Sequence, residues 1–184
     1  SLYSINHENK NLNWISSFKN QEDNVQATFD GKITTIDKNK ILISTDDLIS
    51  LHNASSGFKL WELKIDTSLN PIISNDLIFV LTKDNSILVL ESLTGHLVWS
   101  NDIDQYKKKD DRFLSREKKI QIIDFKLVNN SLYLFTANKI KKINAKTGVF
   151  ISEFQLPSII KTNVIFGNGL MYFFDKKNRL VTVG

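Results

Sequence analysis

One short pattern recurs along this chain and collects all three of its tryptophans. Leu51 to Trp61 (LHNASSGFKLW), Leu90 to Trp99 (LESLTGHLVW) and Ile143 to Ser152 (INAKTGVFIS) align on Gly57, Gly95 and Gly148. Ile5 to Trp14 (INHENKNLNW) keeps the frame with Lys10 in the glycine's place. Trp14, Trp61 and Trp99 each follow that position by four residues, and Ser152 holds the slot in the remaining copy. The anchors Ile5, Leu51, Leu90, Ile143 and Val183 are separated by 46, 39, 53 and 40 residues. The longest interval contains the charged stretch 104–119, and without those 16 residues it shortens to 37. A ragged period of this size marks one supersecondary unit copied in tandem, with its variation in loops.

Within a unit the residues read as short strands. Ile41–Ser44, Leu48–Leu51 and Lys59–Leu63 form one set; Pro71–Ser74, Leu77–Leu81, Ile87–Leu90 and Leu97–Ser100 a second; Ile122–Leu127, Leu132–Thr136, Lys139–Ile143 and Val149–Phe154 a third. Ser74-Asn75-Asp76, Lys83-Asp84-Asn85, Asn129-Asn130 and Thr147-Gly148 supply turn chemistry between them. Runs such as Leu132-Tyr133-Leu134-Phe135 are aromatic and branched, and too short for bounded helices. At most one helical turn is expected, in the charged insertion. Four strands about every 40 residues predict an all-β fold, a β-propeller of four-stranded antiparallel blades. A single twisted sheet cannot cover both of its faces, so each blade must stack on the next. The turn glycine allows a positive φ and a close approach, and the tryptophan offers a large ring to the neighbouring blade. Gly57, Gly95, Gly148, Trp14, Trp61 and Trp99 are therefore the expected blade-docking residues.

Charge and composition remove several function classes. Lys+Arg 24 against Asp+Glu 20 gives +4, and 7 cations against 4 anions place +3 of it in residues 104–119. One mixed-charge loop reads as a solvated insertion. A nucleic-acid platform is not expected, because basic residues are not interleaved with aromatics along strands. Tyr106, Lys107, Lys108, Lys109, Arg112, Phe113 and Arg116 of that loop form a candidate partner-binding element. The chain lacks cysteine, which excludes disulfides, thiolate zinc sites and thiol nucleophiles. No apolar run approaches the roughly 18 residues of a membrane helix.

Ala145-Lys146-Thr147-Gly148 and Leu93-Thr94-Gly95-His96-Leu97-Val98-Trp99 resemble the PQQ-like propeller repeat, and Ser55-Ser56-Gly57 with Trp61 follows it with a one-residue insertion. No tryptophan is followed by aspartate, which separates the pattern from the WD40 repeat. The resemblance implies that the tryptophans dock blade to blade, while Ser152 leaves its interface to Phe150 or Phe154. It also brings two functions. Quinoprotein dehydrogenases of this family hold a quinone beneath an adjacent-cysteine disulfide and above calcium, and the chain has no cysteine to match. No catalytic, cofactor-binding or metal-binding residue is therefore assigned, and no cofactor is expected; a fragment of such a dehydrogenase is the alternative.

The non-catalytic branch of the family, the propeller lipoproteins of the outer-membrane β-barrel assembly machinery, fits better. That resemblance implies a periplasmic scaffold attached to the outer membrane by a lipid anchor outside these residues, with a protein partner among the assembly subunits. Asp46, Asp47, Asp76 and Asp84 read as turn residues, Asp102 and Asp104 as a carboxylate pair leading into the charged loop, and His7, His52 and His96 as surface residues. The chain opens in mid-blade and holds four periods, which reads either as a closed four-bladed ring whose last blade mixes strands from both termini or, the favoured reading, as part of a larger seven- or eight-bladed propeller, with 1–184 forming one domain. Two uncovered blade faces imply self-association.

Overall fold

The computed structural model describes residues 1–16, 31–45, 47–106 and 120–184. Their strands form five antiparallel sheets. The first pairs β1 (Leu2–Ile5) with β2 (Leu12–Ser16). The second is β3 (Lys32–Asp37), β4 (Lys40–Ser44), β5 (Leu48–Asn53) and β6 (Lys59–Lys64), hydrogen-bonded in chain order. The third is β7 (Ile72–Ser74), β8 (Leu77–Leu81), β9 (Ser86–Glu91) and β10 (Leu97–Asp102). The fourth is β11 (Asp124–Val128), β12 (Ser131–Phe135), β13 (Lys139–Asn144) and β14 (Phe150–Gln155). The fifth is β15 (Ile165–Gly167), β16 (Leu170–Phe174) and β17 (Leu180–Val183). Ile103–Tyr106 adds one 3-10 turn.

Two compact units contain these sheets: residues 1–84 with 88–98, and residues 85–87 with 99–184. In the first, Leu42, Ile49 and Leu51 pack with Ile78, Val80 and Leu90, and Trp61 and Leu63 lie against them. In the second, Phe135 and Ile140 pack with Leu156, Ile160, Val164, Met171 and Phe173. The second and third strands of the complete sheets are buried on successive residues, as in Leu77–Leu81, where Ile78, Phe79, Val80 and Leu81 are all buried. Both faces of those strands are covered, so their sequences run continuously apolar instead of alternating. First and fourth strands are more exposed. Short connections use asparagine at positive φ: Asn75, the pair Asn129-Asn130, and Asn168 before Gly169, conformations that asparagine tolerates in tight hairpins.

Candidate functional site

The recurring pattern folds into four turns with one set of backbone bonds. Asn53 N–H donates to Phe58 O and Gly57 N–H to Asn53 O; Glu91 with His96 and Gly95, Asn144 with Val149 and Gly148, and Asn6 with Asn11 and Lys10 repeat both bonds at 2.8–2.9 Å. The side-chain oxygens of Asn6, Asn53 and Asn144 accept two further N–H groups inside their own turns. The fifth residue is left-handed in every copy, with φ of +72°, +72° and +70° at the glycines and 60° at Lys10. A lysine held there costs about 1 kcal/mol or more relative to glycine.

Each tryptophan meets the turn of the following sheet. Trp14 Nε1–H donates to Ala54 O, Trp61 Nε1–H to Ser92 O and Trp99 Nε1–H to Ala145 O, each at 3.1 Å. Each acceptor lies three residues before the turn glycine, beneath which the ring sits. A Cβ on Gly95 would stand 3.0 Å from the Trp61 ring and one on Gly148 2.9 Å from the Trp99 ring, and one on Gly57 would collide with Trp14. Gly169, at φ +76°, has nothing within 4 Å of the same position. The tryptophans are half-buried, so truncation to alanine falls toward the lower end of the 3–5 kcal/mol of a fully buried ring. Asn101 adds a bond from Nδ2 to Gly148 O at 2.7 Å.

These geometries correct two sequence expectations. All four turns have one length, so the turn of Ser55-Ser56-Gly57 contains no insertion, and the residue matching Leu90 and Ile143 is His52 instead of Leu51. His52 is accordingly buried, not on the surface. Its Nδ1 contacts Gly57 O at 3.2 Å and its Nε2 Ser50 Oγ at 3.0 Å. Burial pushes the imidazole below its ordinary pKa, with the carbonyl of Gly57 working against that shift. His7 and His96 are exposed. Asp102 and Asp104 are not arranged as a paired carboxylate site: Asp102 Oδ1 accepts Asp104 N–H at 2.8 Å, and Asp104 Oδ1 accepts Ile120 N–H at 3.2 Å.

Two networks around the withdrawn carboxylates Asp124 and Glu153 were not legible in the residue pattern. Asp124 on β11 accepts its neighbour Phe125 N–H at 2.9 Å and Val164 N–H at 2.8 Å, tying the fourth sheet to the approach to the fifth. On β13 and β14, Glu153 takes Lys139 at 2.9 Å and the buried Lys141 at 2.8 Å. Burial disfavours the Glu153 carboxylate, but the bonds from Lys141 and Lys139 outweigh it and hold its pKa below the usual value.

Among the candidate loop residues, Tyr106 ends the 3-10 turn; Lys107, Lys108, Lys109, Arg112, Phe113 and Arg116 lie outside the described residues. Among the described residues, no three His, Asp or Glu side chains converge as a metal set. A polar recess of about 50 Å³, lined by residues including Lys32, Thr45, Thr67 and Asn70, has room for only a few waters.

Residues 1–182 match the PQQ-like repeat family described as outer membrane protein assembly factor BamB. The chain belongs to that family. Among solved structures it is similar to BamB from Moraxella catarrhalis, at 15% identity and TM-score 0.62, covering 84% of this chain and 43% of that one. It is also similar to the computationally designed Ika4 protein, at 16% identity and TM-score 0.56, covering 84% of this chain and 91% of that one. Saccharomyces cerevisiae Sqt1 matches at 12% identity and TM-score 0.67, over 98% of this chain and 52% of that one. No curated protein matches. The four-stranded sheets are thus blades of an all-β propeller, and the chain spans less than half the length of the BamB chain it resembles.

Proposed function

We propose that this member of the BamB family is a non-catalytic protein-protein interaction scaffold that works in outer-membrane protein assembly, on the periplasmic face of the outer membrane. The family match over residues 1–182 carries this reading. The repeated tryptophan contact supports it: Trp14, Trp61 and Trp99 bind turn backbone of the same chain. We propose that these contacts dock successive blades, holding loops in register for a partner. An adjacent-cysteine quinone site has no residues to form it, since the chain contains no cysteine. The partner is a subunit of the assembly machinery, and membrane attachment comes from a lipid anchor elsewhere in the protein.

Affinity purification from cross-linked envelopes tests the proposal. Enrichment of β-barrel assembly subunits is the expected result. Alcohol oxidation appearing on addition of pyrroloquinoline quinone and calcium, without such enrichment, would overturn it. We further propose that the 184-residue chain self-associates, because Tyr3, Ile5 and Ile15 on the first sheet, and Ile165 and Leu180 on the last, expose large apolar side chains. Light scattering at micromolar concentration is expected to give more than a monomer mass, and a monomer mass refutes this part.

A further inference from the structure

The chain's +4 conceals a much steeper division. Residues 120–184 carry nine Lys and Arg against three Asp and Glu, whereas residues 1–103 carry eight against thirteen. Charge outside the 104–119 loop is therefore divided by sign, not near zero throughout. The three carboxylates of 120–184 are also withdrawn from solvent: the side chains of Asp124, Glu153 and Asp175 are 9%, 16% and 2% exposed. Asp175 accepts Lys177 N–H, Arg179 N–H and the Arg179 guanidinium within its own turn. What this segment shows to solvent is cationic.

Backbone bonds gather five of those cations. The connection 156–162 joins the turn before β13 through Leu156 N–H to Asn138 O and Ile160 N–H to Ala137 O, both 2.8 Å. It joins the turn between β16 and β17 through Lys161 N–H to Phe174 O at 2.8 Å and Lys176 N–H to Ile159 O at 3.1 Å. Lys161 Nζ reaches Asn178 Oδ1 at 2.6 Å. Lys139, Lys161, Lys176, Lys177 and Arg179 thus stand on one knitted loop surface, Lys139 and Arg179 paired with Glu153 and Asp175, with Ile159 and Phe174 exposed among them. The equivalent loops of the first unit carry exposed Asp47, Asp66 and Asp84.

We infer that the loop surface formed by residues 136–139, 156–162 and 174–179 docks an extended acidic segment of a protein partner in which carboxylates alternate with apolar side chains. This rests on the scaffold reading and specifies the chemistry of its partner. Complementary charge speeds encounter and fixes register, and Ile159 and Phe174 give apolar contact that a purely ionic partner would not use. A polypeptide is the occupant that offers carboxylates and apolar side chains together, matching the cations of this surface and the exposed Ile159 and Phe174.

The probe is a fluorescein-labelled peptide of alternating glutamate and leucine, followed by fluorescence anisotropy against the whole chain. Saturable binding is expected, weakened about tenfold or more by adding salt to about 0.5 M. Combined K161E, K176E and K177E is expected to weaken it about tenfold or more, with an unchanged far-UV spectrum. K32E, K38E and K64E together change net charge equally and should leave binding near the unaltered level. Absence of binding, or equal loss in the two triple variants, overturns the inference. So does tighter binding to phosphatidylglycerol vesicles or to a single-stranded oligonucleotide with the same variant dependence. The peptide assay contains no envelope component, so it can fail while assembly subunits still co-purify, and the converse.

Discussion

Gly148→Ala probes the docking contact with a control built into the same unit. The new methyl would lie 2.9 Å from Trp99 Cε3 and 3.0 Å from Cζ3, and would overlap the Asn101 amide. Gly169 has nearly the same φ and open space around it. Gly169→Ala therefore reports backbone alone: about 1–2 kcal/mol for alanine in the left-handed region, reduced by about 0.4–1 kcal/mol of unfolded-state entropy. Gly148→Ala adds overpacking of about 2 kcal/mol. At about 2–4 °C per kcal/mol for a chain of this size, its melting temperature should lie about 4–8 °C below that of Gly169→Ala. Thermal denaturation followed by far-UV circular dichroism measures the melting temperatures of both variants, and urea denaturation their free energies. In a Trp99→Ala background the share of the added penalty set by the ring should vanish while the Asn101 overlap stays, a coupling of about 1 kcal/mol. Equal losses at Gly148 and Gly169, or strict additivity with Trp99→Ala, would refute ring-on-glycine packing.

Replacing Trp61 with Phe keeps a ring but removes the bond to Ser92 O, and should cost about 1 kcal/mol in urea titrations. His52 is held neutral by burial, so its stabilising contribution is complete above the ordinary histidine pKa of 6.5 and is lost as pH falls through its lowered folded value. Melting temperature should drop between pH 7.5 and 5.5, and His52→Leu should flatten that slope. Glu153→Gln removes the carboxylate from buried Lys141 and should destabilise by about 3 kcal/mol, whereas Lys141→Met should be far milder; chemical denaturation of both variants checks the order.

Much of the fold was legible because blades constrain sequence in a simple way. Strands covered on both faces, such as Leu77–Leu81 and Leu132–Phe135, declare themselves by continuous apolar residues. β3 does not: Lys32-Ile-Thr-Thr-Ile-Asp37 is largely exposed, so little burial is written into it. β15 is largely exposed and only three residues long, with Phe166 alone turned onto the Tyr133 and Phe135 rings. The Trp and Gly positions could be read together because a ring beneath a turn tolerates no Cβ. His52 was hidden because its slot holds Leu or Ile in the sister copies, and the nearby Ser50 and Gly57 oxygens, which make an imidazole acceptable there, are brought to it by the fold. The cationic loop surface was masked by arithmetic. Acidic residues in the first half cancel it in the total, and the burial of Asp124, Glu153 and Asp175 becomes visible only in three dimensions.

The three indole N–H groups test most directly whether one contact, made three times, organises this chain. Hydrogen exchange of the Trp Nε1–H resonances, read by nuclear magnetic resonance, should show Trp14, Trp61 and Trp99 all protected relative to free tryptophan, with protection of Trp99 reduced in Gly148→Ala. Exchange of all three at the free-indole rate, or protection of Trp99 untouched by the methyl at Gly148, would contradict the account.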